Sequence, residues 1–165
     1  MAGFTAAGIT HTTVSTDQLA PLGFVLTVPD SGNGNQEWVY IKNTDSVALR
    51  GADTGTPKYD VAQLADDYTL FNAIRGKTAS AVAGRVIGVA QHEIAAGSYG
   101  FVLRKGKGKV TTTAGAVVAG TTLKISSSGD VLDFGSDAAS VMGMALAANS
   151  SAVANIDAYI NCNVG

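Results

Sequence analysis

One cysteine, Cys162, stands in 165 residues, so no internal disulfide can form and no cysteine pair can hold zinc. The fold must close by burial alone, which this length permits for a single domain. Charge is scarce as well: 15% of the residues are Asp, Glu, Lys or Arg, against roughly 25% in ordinary globular domains. A surface so short of charge is either covered by something or built of hydroxyls. Thirteen acids against eleven bases leave a net charge of -2, which gives the chain no general attraction to polyphosphate backbones. Nucleic acid is therefore disfavoured as a partner. Nowhere do about 18 consecutive apolar residues occur, the length a helical membrane span requires. The first residues, Met1 to Thr10, show neither a basic leader nor a long apolar run. The expectation is a soluble protein, away from membranes, made in the cytoplasm without a signal peptide.

Catalytic constellations are also missing. His11 and His92 are the only histidines, no Gly-x-Ser-x-Gly elbow accompanies them, and without cysteine support they make a poor zinc site. Asp66 and Asp67 are adjacent and diverge on a helix or a strand, so they do not face one substrate. The chain reads as non-enzymatic, with no catalytic residue, cofactor or metal ligand. Asn149-Ser-Ser151 fits a glycosylation acceptor, but without a secretory leader it reads as a turn.

What the sequence does have is alternation with a period of two. In Asn155 to Cys162, Ile156, Ala158, Ile160 and Cys162 share one face and Asn155, Asp157, Tyr159 and Asn161 the other, which describes a half-buried strand. Glu37 to Lys42 is rich in β-branched and aromatic residues, and the turn formers Asp30 to Asn35 join it to Gly23–Val28 as a hairpin. From residue 84 onward short strands alternate with glycine-bearing turns, as in a barrel or sandwich. The fold class is therefore all-β: a small β-barrel or two-sheet domain over 21–165, preceded by an extended N-terminal arm over 1–20. Residues 52–80, variable in the family resemblance given below, break this pattern and are set apart as an insertion. Within it Val61, Leu64, Tyr68 and Phe71 fall at helical spacing, which suggests one short helix over 60–74 with Asp60 as cap, while a strand over 68–74 competes. An internal echo, Val86-Ile-Gly-Val-Ala90 beside Val141-Met-Gly-Met-Ala145, suggests equivalent strands around one barrel, with Gly88 and Gly143 at close approaches or bulges.

The densest feature is Phe101 to Thr112, with Arg104, Lys105, Lys107 and Lys109 threaded by Gly106 and Gly108. A nucleotide loop needs four residues between its glycines and a hydroxyl after Gly-Lys; here five follow Gly100, and Gly108 comes after Lys107. The segment reads instead as two strands joined by a basic hairpin tip, facing either solvent or an acidic partner. Trp38 and Tyr40, of one parity, leave two uses open: packing in a core or interface, and stacking on a sugar ring.

The order of these features resembles the head decoration, or cement, proteins of tailed bacteriophages. It is carried by Pro21-Leu-Gly23, Glu37-Trp-Val-Tyr-Ile-Lys42, Val86-Ile-Gly-Val-Ala-Gln91, Ile94 to Val102, Val118-Ala-Gly-Thr-Thr-Leu123 and Met142-Gly-Met-Ala145, from residue 21 to the end with 52–80 unmatched. The resemblance implies a structural virion protein, commonly a homotrimer, on the outer capsid surface where major capsid protein subunits meet. Residues expected to touch partners are Phe4, Ile9, His11 and Val14 of the arm and Arg104, Lys105, Lys107 and Lys109. The alternative is a carbohydrate- or receptor-binding domain of a virion fibre, with a host-surface glycan on Trp38 and Tyr40.

Overall fold

The computed structural model describes residues 8–52, 58–65, 69–76, 85–112, 116–125, 132–134, 141–149 and 153–162. Among these residues ten strands and no α-helix are formed: β1 (Val25–Asp30), β2 (Gly34–Asn43), β3 (Val61–Leu64), β4 (Asn72–Arg75), β5 (Val86–Val89), β6 (Tyr99–Thr112), β7 (Thr122–Ile125), β8 (Leu132–Phe134), β9 (Val141–Ala145) and β10 (Ala154–Asn161). The protein is all-β, as its alternation predicts.

The strands close into two small rings that share β6. In the first, β2 pairs with β4, β4 with β3, β3 with β5, β5 with β6, and β6 returns to β2. In the second, β6 pairs with β8, β8 with β7, β7 with β9, β9 with β10, and β10 returns to β6. Replacing β2 to β6 by β6 to β10 in order converts one set of pairings into the other. Even the senses match, since β2–β4 and β6–β8 are parallel and every other pair is antiparallel. The described strands thus repeat one five-stranded pairing pattern twice, the two units sharing a common strand.

The sequence echo lies at equivalent places in the two units, on β5 and β9, and not around a single barrel as expected. Gly88 pairs with Ala62 and Val86 with Gln63, so Ile87 is the extra residue of a bulge. Gly143 pairs with Leu123 and Val141 with Lys124, which makes Met142 the extra residue there. Ile87 and Met142 are both buried. A bulge re-aims the side chains on either side of it, and the glycine after it lets the neighbouring backbone approach: a Cβ on Gly88 would stand 2.6 Å from the Leu103 carbonyl oxygen, and one on Gly143 would collide with that of Tyr159.

β6 corrects the expected hairpin. Tyr99 to Lys105 and Lys109 to Thr112 are one continuous strand. Its first half pairs with β2 (Lys42↔Tyr99 to Glu37↔Lys105) and its second with β10 (Asn161↔Lys105 to Ala154↔Thr112). The glycines bend the strand between rings where a turn was expected to reverse it. Gly106 has φ 116°, a conformation that disfavours any side chain, and Gly108 leaves room for the Leu103 side chain. β1 and β2 form the expected hairpin, with Asp30↔Gly34 closing the turn.

The helix suggested over 60–74 is replaced by β3 and β4, with β4 falling where a strand over 68–74 competed and 66–68 outside the described residues. Its apolar spacing is explained by burial on both faces of β3, where apolar residues need no strict alternation. Phe71 has φ 65°, which no helix accommodates, and its ring lies over Gly23. Asp60 does not cap a helix. It accepts both guanidinium hydrogen bonds of Arg50, at 2.9 and 2.7 Å, and the Arg50 amide at 2.9 Å.

Two apolar clusters fill the body. One occupies the first ring, with Ile41, Leu49, Ile87, Ile94 and Val102. The larger joins the interior of the second ring, including Val110, Leu123, Ile156 and Ile160, to outward-facing residues of the first, including Trp38, Val61, Val89 and Leu103. Cys162 belongs to this cluster, and burial pushes its thiol from 9.0 up to about 12. The buried form holds its proton longer than the unfolded one, so this contribution to stability is complete below pH 9 and declines as pH rises from there toward 12. A thiol reagent at pH 8 is expected to leave the folded protein unmodified and to label it once denaturant unfolds it. Labelling of the native protein at the rate of a free thiol would contradict this burial.

Candidate functional site

At the junction of the two rings and the N-terminal segment lies an open groove of about 480 Å³. Its floor is aromatic. Trp38, on β2, lies parallel to His92 with ring centroids 5.6 Å apart, and the His11 ring is tilted over it at 4.7 Å. His92 follows β5 and its Nε2–H donates to the His11 carbonyl at 2.7 Å, so a histidine with no catalytic or zinc context pins the N-terminal segment to the body. Farther along, Ser15 and Tyr99 exchange backbone hydrogen bonds, the Leu19 amide donates to the Tyr40 hydroxyl at 3.0 Å, and Ala20 is buried. Residues 8–20, expected as part of an extended arm, are laid against the domain over this stretch.

The walls are built by amides that hold β6. Gln36 Nε2 donates to the Lys107 carbonyl at 2.7 Å while its Oε1 accepts from Trp38 Nε1 at 3.1 Å. Gln91 Nε2 donates to the Lys109 carbonyl, and its Oε1 accepts from the Lys109 amide, both at 2.9 Å. These amides replace ladder bonds that the bent strand does not make there, and they hold Lys107 and Lys109 at the rim.

The basic residues of β6 meet acids of the adjoining strands. Lys105 lies 3.4 Å from Glu37; Lys109 and Lys107 lie 2.5 and 3.8 Å from Asp157. The Lys109 hydrogen bond, helped by the charges of both lysines and opposed by partial burial, holds the Asp157 carboxyl below its usual range. Asp30 lines the same groove. The expected basic tip is therefore a charge-balanced surface along a strand, because the pairing with β2 and β10 brings Glu37 and Asp157 beside it. Arg104 is set apart: its Nε donates to the Cys162 carbonyl at 3.3 Å.

Of the residues expected to touch partners, the fold brings His11, Lys107 and Lys109 to this groove, while Lys105 and Arg104 lie along β6 outside it. Ile9 packs on the larger apolar cluster and Val14 is exposed beside Gly100. Phe4 lies outside the described residues. Trp38 and Tyr40, at 3% and 1% exposure, offer no face to a sugar ring; of the two uses left open, the structure selects core packing. Gln36, Gln91 and Asp157 are groove residues that sequence reasoning missed, since single amides and acids acquire these roles only through pairing. Among the described residues no three of His, Cys, Asp and Glu converge as a metal would require.

No protein-family model matches the chain, and no curated protein does. Among solved structures, the N-terminal base of the head fibre protein gp8.5 of bacteriophage phi29 superposes with a TM-score of 0.48 at 13% identity, over 76% of this chain and 96% of that one.

Proposed function

We propose that this chain is a structural virion protein of a tailed phage, a decoration protein that attaches as a trimer to the outside of the head and ties major capsid subunits together. The observation that supports it is where the resembling segments fall. Glu37 to Lys42, Val86 to Gln91, Ile94 to Val102, Val118 to Leu123 and Met142 to Ala145 lie on β2, β5, β6, β7 and β9 and the turns that lead into them, the framework of both rings. A protein of this kind works by binding only the assembled shell, which shifts the assembly equilibrium by mass action, and repetition over the shell lets a modest affinity per copy suffice.

The shell contact in this reading belongs to the N-terminus. Ile9, His11 and Ser15 are engaged with the body, so this reading assigns the shell contact to 1–7, with Phe4. Deleting residues 1–7 is expected to leave the thermal midpoint within about 2 °C of the full chain, the effect of less than ~1 kcal/mol at this size. The same deletion should abolish co-sedimentation with expanded heads. Undiminished occupancy would remove the N-terminus from the shell contact.

A further inference from the structure

The turn between β1 and β2 contains the asparagine Asn33 directly before Gly34, whereas every other asparagine of the sequence precedes a residue that carries a side chain. The turn leaves this pair open. The Asn33 amide donates to the Asp30 carbonyl at 3.0 Å and Asp30↔Gly34 closes the hairpin, so residues 31–33 project beyond the ladder. Asn33 and Gly34 are exposed, and nothing lies within 4 Å of a Cβ position on Gly32 or Gly34. Gly34 has a φ of 88°, so its backbone and not crowding is what calls for glycine. β1 stands at one end of the strand order, with β2 as its only partner among the described strands. Other asparagines are held more firmly. Asn43, fully buried, donates from Nδ2 to the carbonyls of Val47, Ile94 and Ala95, and Asn155 Oδ1 accepts from the Thr111 hydroxyl at 2.7 Å. The Asn33 carboxamide makes no hydrogen bond to any described residue.

We propose that Asn33 is a site of spontaneous covalent modification, at which the folded chain converts an amide to a carboxylate through a succinimide ring formed with Gly34. In the first step the Gly34 backbone nitrogen gives up its proton and attacks Cγ of Asn33. The N–Cγ bond forms, the Cγ–Nδ2 bond breaks, and Nδ2 leaves as ammonia carrying the proton that Gly34 gave up. In the second step solvent water adds to one of the two ring carbonyls. Opening at Cγ gives aspartate; opening at the Asn33 backbone carbonyl gives isoaspartate, in which the main chain runs through the former side chain. No oxidant or reductant takes part. A Cβ on the following residue crowds the attacking nitrogen, which is why Asn33 stands apart from the other asparagines.

The product bears on the groove, because Asn33 lines it together with Asp30, Asp157, Lys107 and Lys109. These supply two carboxylates and two ammonium groups, and conversion of Asn33 adds a third carboxylate. Isoaspartate also lengthens the backbone by one methylene just before the segment of β2 that carries Gln36 and Trp38. An exposed turn at an edge strand accommodates such a change without loss of the fold. The inference is independent of the shell reading.

The test is incubation of the folded full-length chain at pH 6 and pH 8, followed by peptide mapping with a fragmentation method that separates aspartate from isoaspartate, beside Gly34→Ala. The wild type is expected to convert Asn33 ahead of every other asparagine, to yield both acids, to react faster at the higher pH, and to shift to later elution in anion exchange. Gly34→Ala is expected to hold the amide through the same incubation. If the strain at that φ unfolds it, Asn33→Gln serves, since its ring would need one more atom, and the elution shift should vanish. An Asn33 that stays an amide in the folded chain while the denatured chain converts it would show that the turn protects it, and would overturn the proposal. Aspartate without isoaspartate overturns it too, because direct hydrolysis needs no ring. So does conversion of Gly34→Ala at the wild-type rate, or an elution shift that persists in Asn33→Gln.

Discussion

Alanine at Gly143 is expected to destabilise the protein by roughly 3 kcal/mol or more, the upper end of the cost of forcing atoms into a packed interior. At this chain length each kcal/mol lowers the melting temperature by about 2–4 °C. The cause is backbone and not side chain. The new Cβ points at the Tyr159 carbonyl oxygen, and the nearest further atoms are the Tyr159 carbonyl carbon at 3.1 Å and the Ile160 Cα at 3.2 Å, so no rotamer change relieves the collision. The strands β9 and β10 must separate or the bulge at Met142 must be lost, and either exposes the interior of the second ring. Gly88→Ala poses the same problem against the Leu103 carbonyl in the first ring, with a Cβ–O distance of 2.6 Å. Equivalent positions should give similar losses. Gly32 supplies the control: its φ is 84° but nothing lies within 4 Å of its Cβ position, so alanine there should cost only the ~1–2 kcal/mol of a left-handed residue. Chemical denaturation of the three variants checks this, and a Gly143→Ala protein as stable as the wild type would rule out the close approach of β9 and β10.

Trp38→Ala is expected to cost about 3–5 kcal/mol, the range for removing a buried aromatic side chain from a core. Trp38 is nearly fully buried, its indole N–H is bonded to Gln36, and His11 and His92 pack on its ring. Its loss leaves a cavity between the rings and removes the platform under the N-terminal segment. Proteolysis of residues 8–20 should therefore accelerate along with global unfolding. A glycan-stacking tryptophan would behave in the opposite way, with binding lost and the melting temperature unchanged. An unchanged midpoint would return Trp38 to the surface.

Trp38 and Lys107 show how little residue type alone decides at this site. Trp38 stood open between packing and a sugar platform, and Lys107 belonged to a basic segment with solvent or an acidic partner as alternatives. The repeated pairing pattern makes them equivalent positions on β2 and β6: Trp38 is covered by His11 and His92, and Lys107 is left at the rim. Their neighbours along the chain carry no sign of this, because burial there depends on where the distant N-terminal segment and the loop after β5 fold back.

Local alternation determined what could be read without coordinates. The all-β class, the β1–β2 hairpin, the half-buried β10 and the special standing of Gly88 and Gly143 all follow from period-two patterning and from the backbone freedom of glycine, which operate within a few residues. The tertiary structure alone decided that β3 and β4 replace a helix, since apolar spacing over a strand buried on both faces mimics helical periodicity. It also decided that Phe101 to Thr112 is one strand and not two. A glycine pair in an alternating segment is compatible with a turn or a bend, and the choice was made by β2 and β10, which lie more than 40 residues away in opposite directions along the chain and each supply half of the hydrogen bonds that keep β6 extended.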